Sequence, residues 1–119
     1  MTMQTVRVLN TTKGTVLGGR VGVADTSLSR MVGLLGRRSM EAGTGLLIMP
    51  SQAVHTIGMH FPIDLVFVDK RFRVIHVQRS LVPYRLSGLH WRASCVLELP
   101  TGTIAETGTS IGDELLIEE

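Results

Sequence analysis

His55, His60 and Asp64 fall within ten consecutive residues. Two imidazoles and a carboxylate suit two chemistries. One is acid–base catalysis, with His55 or His60 moving a proton and Asp64 orienting the ring. The other is a 2-His-1-carboxylate metal set. The spacing enforces neither. His55 and His60 differ by an odd number, so an extended segment points them to opposite faces, and only a turn at Gly58 reunites them. No metal is assigned, no cofactor is called for, and no residue is fixed as catalytic. A third use is contact with a small ligand. On that reading Thr56, Met59 and Arg37 join His55, His60 and Asp64.

Asp64 needs donors wherever it sits in an apolar strand, because an unpaired buried charge is very costly. The expected donors are N–H groups of residues 55–61, or the guanidinium of Arg30 or Arg37. Arg30 and Arg37 lie seven apart, two helical turns, so they share a face if a helix reaches Arg37.

The elements that position these groups follow from periodicity. Residues 63–69 are rich in β-branched and aromatic types and too short for an ordinary helix, so they predict a strand. Ile63, Leu65 and Phe67 face one way; Asp64, Val66 and Val68 face the other. Both faces are nearly all apolar, so both should be covered. Residues 72–77 predict a second strand, paired antiparallel across a turn at 69–72. His76 should share a face with Phe72 and Val74 as a partly buried neutral ring. Further strands are expected over 3–9, 15–24, 45–49, 94–99 and 114–117. Gly18, Gly19 and Gly22 should bend the strand at 15–24. Leu28, Met31, Val32 and Leu35 recur at helical spacing, which predicts the one main helix over about 27–35. Residues 101–108 suit a single helical turn capped by Thr101 or Thr103 and ended by Gly108. The sum is an α+β domain, mostly β, with a barrel-like or strongly curved and largely antiparallel sheet. Residues 1–119 read as one domain.

Composition narrows the classes. Apolar residues make up 44% and charged ones 18%, which excludes disorder. No apolar run approaches the ~20 residues of a membrane span, and residues 1–15 lack a secretory apolar region. The expected location is the cytoplasm. A lone Cys95 has no intrachain disulfide partner. It is expected to be a small buried residue rather than a nucleophile. Glu98, between Leu97 and Leu99, is expected to face away from them and pair with an arginine.

Charge is unevenly placed. Residues 70–92 carry six basic groups and no acidic one, while residues 98–119 carry six acidic groups and no basic one. Residues 78–93 show little periodicity and hold Tyr84, Arg85 and Trp91, residue types that anchor partners. Nucleic acid is argued against by an aromatic content of 4% and the absence of a stacking motif. No phosphate loop, G-x-S-x-G, CxxC or HExxH occurs.

Five segments in order resemble the DUF192 (UPF0127) family of small prokaryotic domains: RMVGLLGR (residues 30–37), GLLIMP (45–50), HTIGMHFPIDLVFVD (55–69), VLELPTGT (96–103) and TGTSIGDEL (107–115). The resemblance implies a compact β-rich fold and brings no established activity. It departs at residues 55–59. Many members carry Trp-Met-Lys-Asn-Thr there, and this chain has His-Thr-Ile-Gly-Met.

The expected function is a non-enzymatic module that binds an unknown small molecule or a protein. Its cleft would be formed by residues 55–64 and rimmed by residues 78–92. The alternatives are an enzyme using His55 or His60 with Asp64, and binding of an anionic partner by the basic loop. Oligomeric state is open.

Overall fold

The computed structural model describes residues 4–26, 39–56 and 59–119. The helix expected over 27–35, Arg30 and Arg37 all lie outside these residues, as do Ile57 and Gly58. The strands are β1 (Thr5–Asn10), β2 (Thr15–Ala24), β3 (Thr44–Ile48), β4 (Ile63–Val68), β5 (Val74–Leu81), β6 (Cys95–Pro100) and β7 (Leu115–Glu118). A five-residue helix, α1 (Thr103–Thr107), links β6 to β7.

The strands form one sheet in the order β5-β4-β6-β3-β2-β1-β7. Among the described strands only the β2–β3 pair is parallel. The sheet curls until its edges meet. Arg73, just before β5, bridges Glu114, just before β7. Beside that bridge the Val74 N–H donates to the Asp113 carbonyl and the Leu115 N–H to the Phe72 carbonyl, both at 2.8 Å. This is the strongly curved, mostly antiparallel sheet expected from the sequence. Bringing the edges together satisfies backbone groups that an open edge leaves exposed.

Curvature comes from the first hairpin. Val6 faces Val21, Val8 faces Gly18 and Leu9 faces Val16, so β2 carries extra residues on both sides of Val8. A Cβ on Gly18 would lie 2.7 Å from the Val21 side chain, so the bend needs glycine there.

β4 is buried along its whole length. Val66 and Val68 pack inside the curl with Leu97, Leu99 and Ile104. Ile63, Leu65 and Phe67 pack on the outer face with Leu46, Ile48 and Val96. Each such side chain contributes about 1.5–3 kcal/mol by leaving water. The turn after β4 works without glycine. Asp69 Oδ1 accepts the N–H groups of Arg71 (2.9 Å) and Arg73 (3.0 Å), and Phe72 takes a left-handed φ of 59°.

Two expectations for β5 are corrected. The strand begins at Val74 and runs to Leu81 rather than ending at Val77. A register shift between Phe67 and Val68 leaves Val74 in the inner core but sets His76 opposite Phe67. The irregularity turns His76 to the outer face, away from Val74.

Candidate functional site

Asp64 is 1% exposed and points into the curl. Its donors are not the expected ones. Oδ1 accepts the Ser80 N–H at 2.9 Å, and Oδ2 accepts the N–H groups of Gly102 (3.1 Å) and Ile104 (2.9 Å). The cause is sheet order. Asp64 pairs with Leu99 on β6, so its side chain reaches the chain leaving β6. There Gly102 takes φ 97° and opens α1 with no side-chain cap of its own. The first N–H groups of a helix need acceptors, and Asp64 serves as the cap in place of Thr101 or Thr103. Thr103 Oγ1 instead donates to the Pro100 carbonyl at 2.7 Å. Gly108 does end the helix, in a left-handed conformation.

The histidine-bearing segment goes elsewhere. His55 bridges Leu86 in antiparallel fashion, and both His55 and His60 are exposed. Thr56 is fully buried and knits two segments together. Its N–H donates to the Arg85 carbonyl (2.9 Å), its hydroxyl donates to the Val82 carbonyl (2.7 Å) and accepts the Arg85 N–H (2.9 Å), and its carbonyl accepts the Tyr84 N–H (3.0 Å). Ser87 N–H donates to the Val54 carbonyl, and His90 N–H to the Gln52 carbonyl. Met59 is 3% exposed and belongs to the outer core. Thus the expected wall and rim of a cleft are hydrogen-bonded to each other over residues 52–56 and 82–90. Of the polar side chains expected to line a gap, that of Thr56 joins the two segments instead. Among the described residues no group of three or more His, Cys, Asp or Glu gathers as a metal set.

The outcome of this pairing is a ribbon, residues 82–92, laid over residues 52–56. Val82, Tyr84, Leu86, Leu89 and Trp91 are 47–77% exposed. Arg85 is also exposed. Beneath the ribbon, the rings of His76 and His90 stack at 4.1 Å with 21° between planes, and Phe67 lies 4.3 Å from His90. His90 Nε2 is buried without a hydrogen-bond partner. Burial, and then the neighbouring His90, lower the His76 pKa from its ordinary value.

Three further groups complete the electrostatics. Glu98 is 3% exposed, faces away from Leu97 and Leu99, and its Oε2 has no partner. No arginine pairs with it among the described residues, which corrects the expected ion pair. Burial pushes its pKa up to about 8. Cys95 is 2% exposed, and burial raises its thiol to about 11, against a lowering hydrogen bond from Ser94. Asp113, which the sequence reading did not single out, accepts from Asn10 Nδ2 (2.9 Å), the Ser110 N–H (3.0 Å) and Lys13 Nζ (2.9 Å). Burial alone would raise its pKa, but the Asn10, Lys13 and Ser110 hydrogen bonds and the Lys13 charge hold it below the ordinary value.

The assembled site sits on an architecture shared with known proteins. The DUF192 family model, described as an uncharacterized ACR, matches residues 8–117. A UPF0127 protein of Thermococcus sibiricus is 32% identical over 113 residues, covering 91% of this chain and 72% of the relative. One from Pyrococcus horikoshii is 28% identical, covering 91% and 96%. A solved Sinorhizobium meliloti protein, provisionally named a transcription regulator, superposes with TM-score 0.83 at 26% identity, covering 98% of this chain and 96% of that one. A Novosphingobium aromaticivorans protein of unknown function gives 0.81 at 26% identity, covering 96% and 84%. With the family model spanning nearly every strand and a relative matched above 30%, the chain belongs to the DUF192 (UPF0127) family.

Proposed function

We propose that this chain is a non-enzymatic binding module, and that its contact surface is the ribbon of residues 82–92 rather than a cleft. The observation that carries this is the placement of exposed apolar area. Of the eight large apolar side chains exposed among the described residues, five lie on this ribbon. Scattered single residues need no explanation, but a contiguous row marks an interaction surface. Tyr84 and Trp91 are the residue types that anchor such surfaces, with Arg85 between the apolar positions.

The partner is a protein with an acidic and apolar face. Residues 70–92 hold six basic groups without one carboxylate. Two carboxylates beside this stretch are engaged: Asp69 with the Arg71 and Arg73 N–H groups, and Glu114 with the Arg73 guanidinium at 3.1 Å. An opposite charge on the partner raises the rate of encounter and rejects basic competitors. The acid–base alternative is less well supported. Asp64, spent on three N–H donors, orients neither His55 nor His60.

Peptide display against the immobilised chain tests this reading. It should select segments rich in Asp or Glu with apolar neighbours. The double variant Tyr84→Ala, Leu86→Ser should bind them at least about tenfold more weakly, at an unchanged unfolding midpoint. Selected peptides that bind parent and variant alike would remove the ribbon as the contact surface.

A further inference from the structure

Two open depressions flank Trp91, whose side chain is 77% exposed. The larger, of about 850 Å³, lies between residues 50–52, the β4–β5 turn and residues 91–94. It is bordered by Lys70, Arg71 and Arg92, against the single carboxylate of Asp69. That carboxylate already accepts two backbone N–H groups through Oδ1. None of the three cations is in an ion pair among the described residues. Three uncommitted cations beside an exposed indole therefore border one concavity.

We propose that this depression binds a mononucleotide. The phosphate lies among Lys70, Arg71 and Arg92, and the base stacks on Trp91. A doubly charged phosphate suits the excess of positive charge, and arginine offers it paired N–H donors. The volume exceeds what a bare phosphate fills and falls within the ~300–1,000 Å³ of small-molecule sites. The Ser51 hydroxyl donates to the carbonyl of Ala53 (2.9 Å), and that of Ser94 lies 3.4 Å from the Val68 carbonyl. Their oxygen lone pairs remain to accept from a ribose hydroxyl or a base amino group. One indole offers a platform for one base. A strand of nucleic acid needs successive platforms, which this surface does not line up. Trp91 and Arg92 border this depression and also end the ribbon, but Tyr84 and Leu86 do not line it, so the Tyr84→Ala, Leu86→Ser variant and the Arg92→Ala and Lys70→Ala variants test the two proposals separately.

Trp91 is the only tryptophan, so its fluorescence reports on the site directly. Titration with AMP or ATP should change the emission saturably, with half-saturation below about 1 mM. Adenosine and inorganic phosphate should each be at least about tenfold weaker, because each supplies only half of the contact. Added salt should weaken binding. Arg92→Ala and Lys70→Ala should each raise half-saturation at least about fivefold at an unchanged thermal midpoint. No saturable response to any mononucleotide at about 5 mM would overturn the proposal. So would an adenosine response equal to that of AMP, unaltered binding in both variants, or binding of oligonucleotides without mononucleotides.

Discussion

The Asp64 carboxylate accepts the Ile104 N–H at 2.9 Å across a separation of forty positions. One acid at the entrance of β4 thereby fixes where α1 begins. Through Ser80 it also fixes the end of β5, where Ser80 takes a left-handed φ of 50°. Three segments distant in sequence are held by the two oxygens of one buried side chain.

Asp64→Ala should therefore destabilise the domain by about 3–5 kcal/mol, because the buried Ile104 N–H and the partly buried Ser80 and Gly102 N–H groups lose a charged acceptor. Asp64→Asn should cost less, since its one carbonyl can still receive Gly102 and Ile104 while its amino group cannot receive Ser80. Urea unfolding measures both losses. Amide exchange should show Ser80 losing protection in the asparagine variant while Ile104 keeps it. An asparagine variant as stable as the parent would mean that the charge contributes nothing to this junction.

Much of this fold is legible in the sequence because the strand code is short-ranged. The alternation of residues 63–68 places Ile63, Leu65 and Phe67 opposite Asp64, Val66 and Val68, and those faces pack as separate cores. The donors to Asp64 were not legible. They are backbone N–H groups, which carry no side-chain signature, and they become neighbours only through the β4–β6 pairing. The turn of His76 was hidden for a related reason. A one-residue irregularity reverses a face, and nothing in the residue types marks it. The joining of residues 52–56 to the ribbon likewise rests on main-chain bonds, around one buried threonine.

Cys95 should resist modification. The thiolate is the reactive form, and a thiol raised to about 11 and 2% exposed supplies almost none at pH 8. A disulfide-exchange reagent should label the folded chain no faster than the chain unfolds, and label it at once in denaturant. Rapid labelling under native conditions would require the start of β6 to open locally.

Asp113 should support stability at neutral pH and lose that role in acid. Its folded pKa lies below the ordinary value, so its contribution is complete above about 4. That contribution declines as pH falls through the folded value. Asp113→Asn should unfold more easily than the parent at pH 7, and the gap should narrow in acid. Lys13→Met should act through the same pair and add little to Asp113→Asn in a double variant. A gap independent of pH would assign the effect to packing instead of charge.

Glu98 acts with the opposite sign. Between its ordinary 4.5 and about 8 the folded chain keeps the proton that the unfolded chain releases. Unfolding is then increasingly favoured as pH rises across that window, by on the order of 3 kcal/mol at pH 7. Below 4.5 both states are protonated and the penalty vanishes. Glu98→Gln keeps the shape and removes the titration, although its amide brings a buried donor that costs about 1–3 kcal/mol if unpaired. The informative quantity is therefore the parent-minus-variant stability followed from pH 4 to 9. It should fall through the window and level off above about 8. The pKa of His76 is lowered by burial and by the neighbouring His90, but that group is present in both proteins and cancels to first order in the difference. A flat difference curve would mean that the folded carboxyl ionises as easily as in water, which an unpartnered oxygen under an apolar sheet face does not permit.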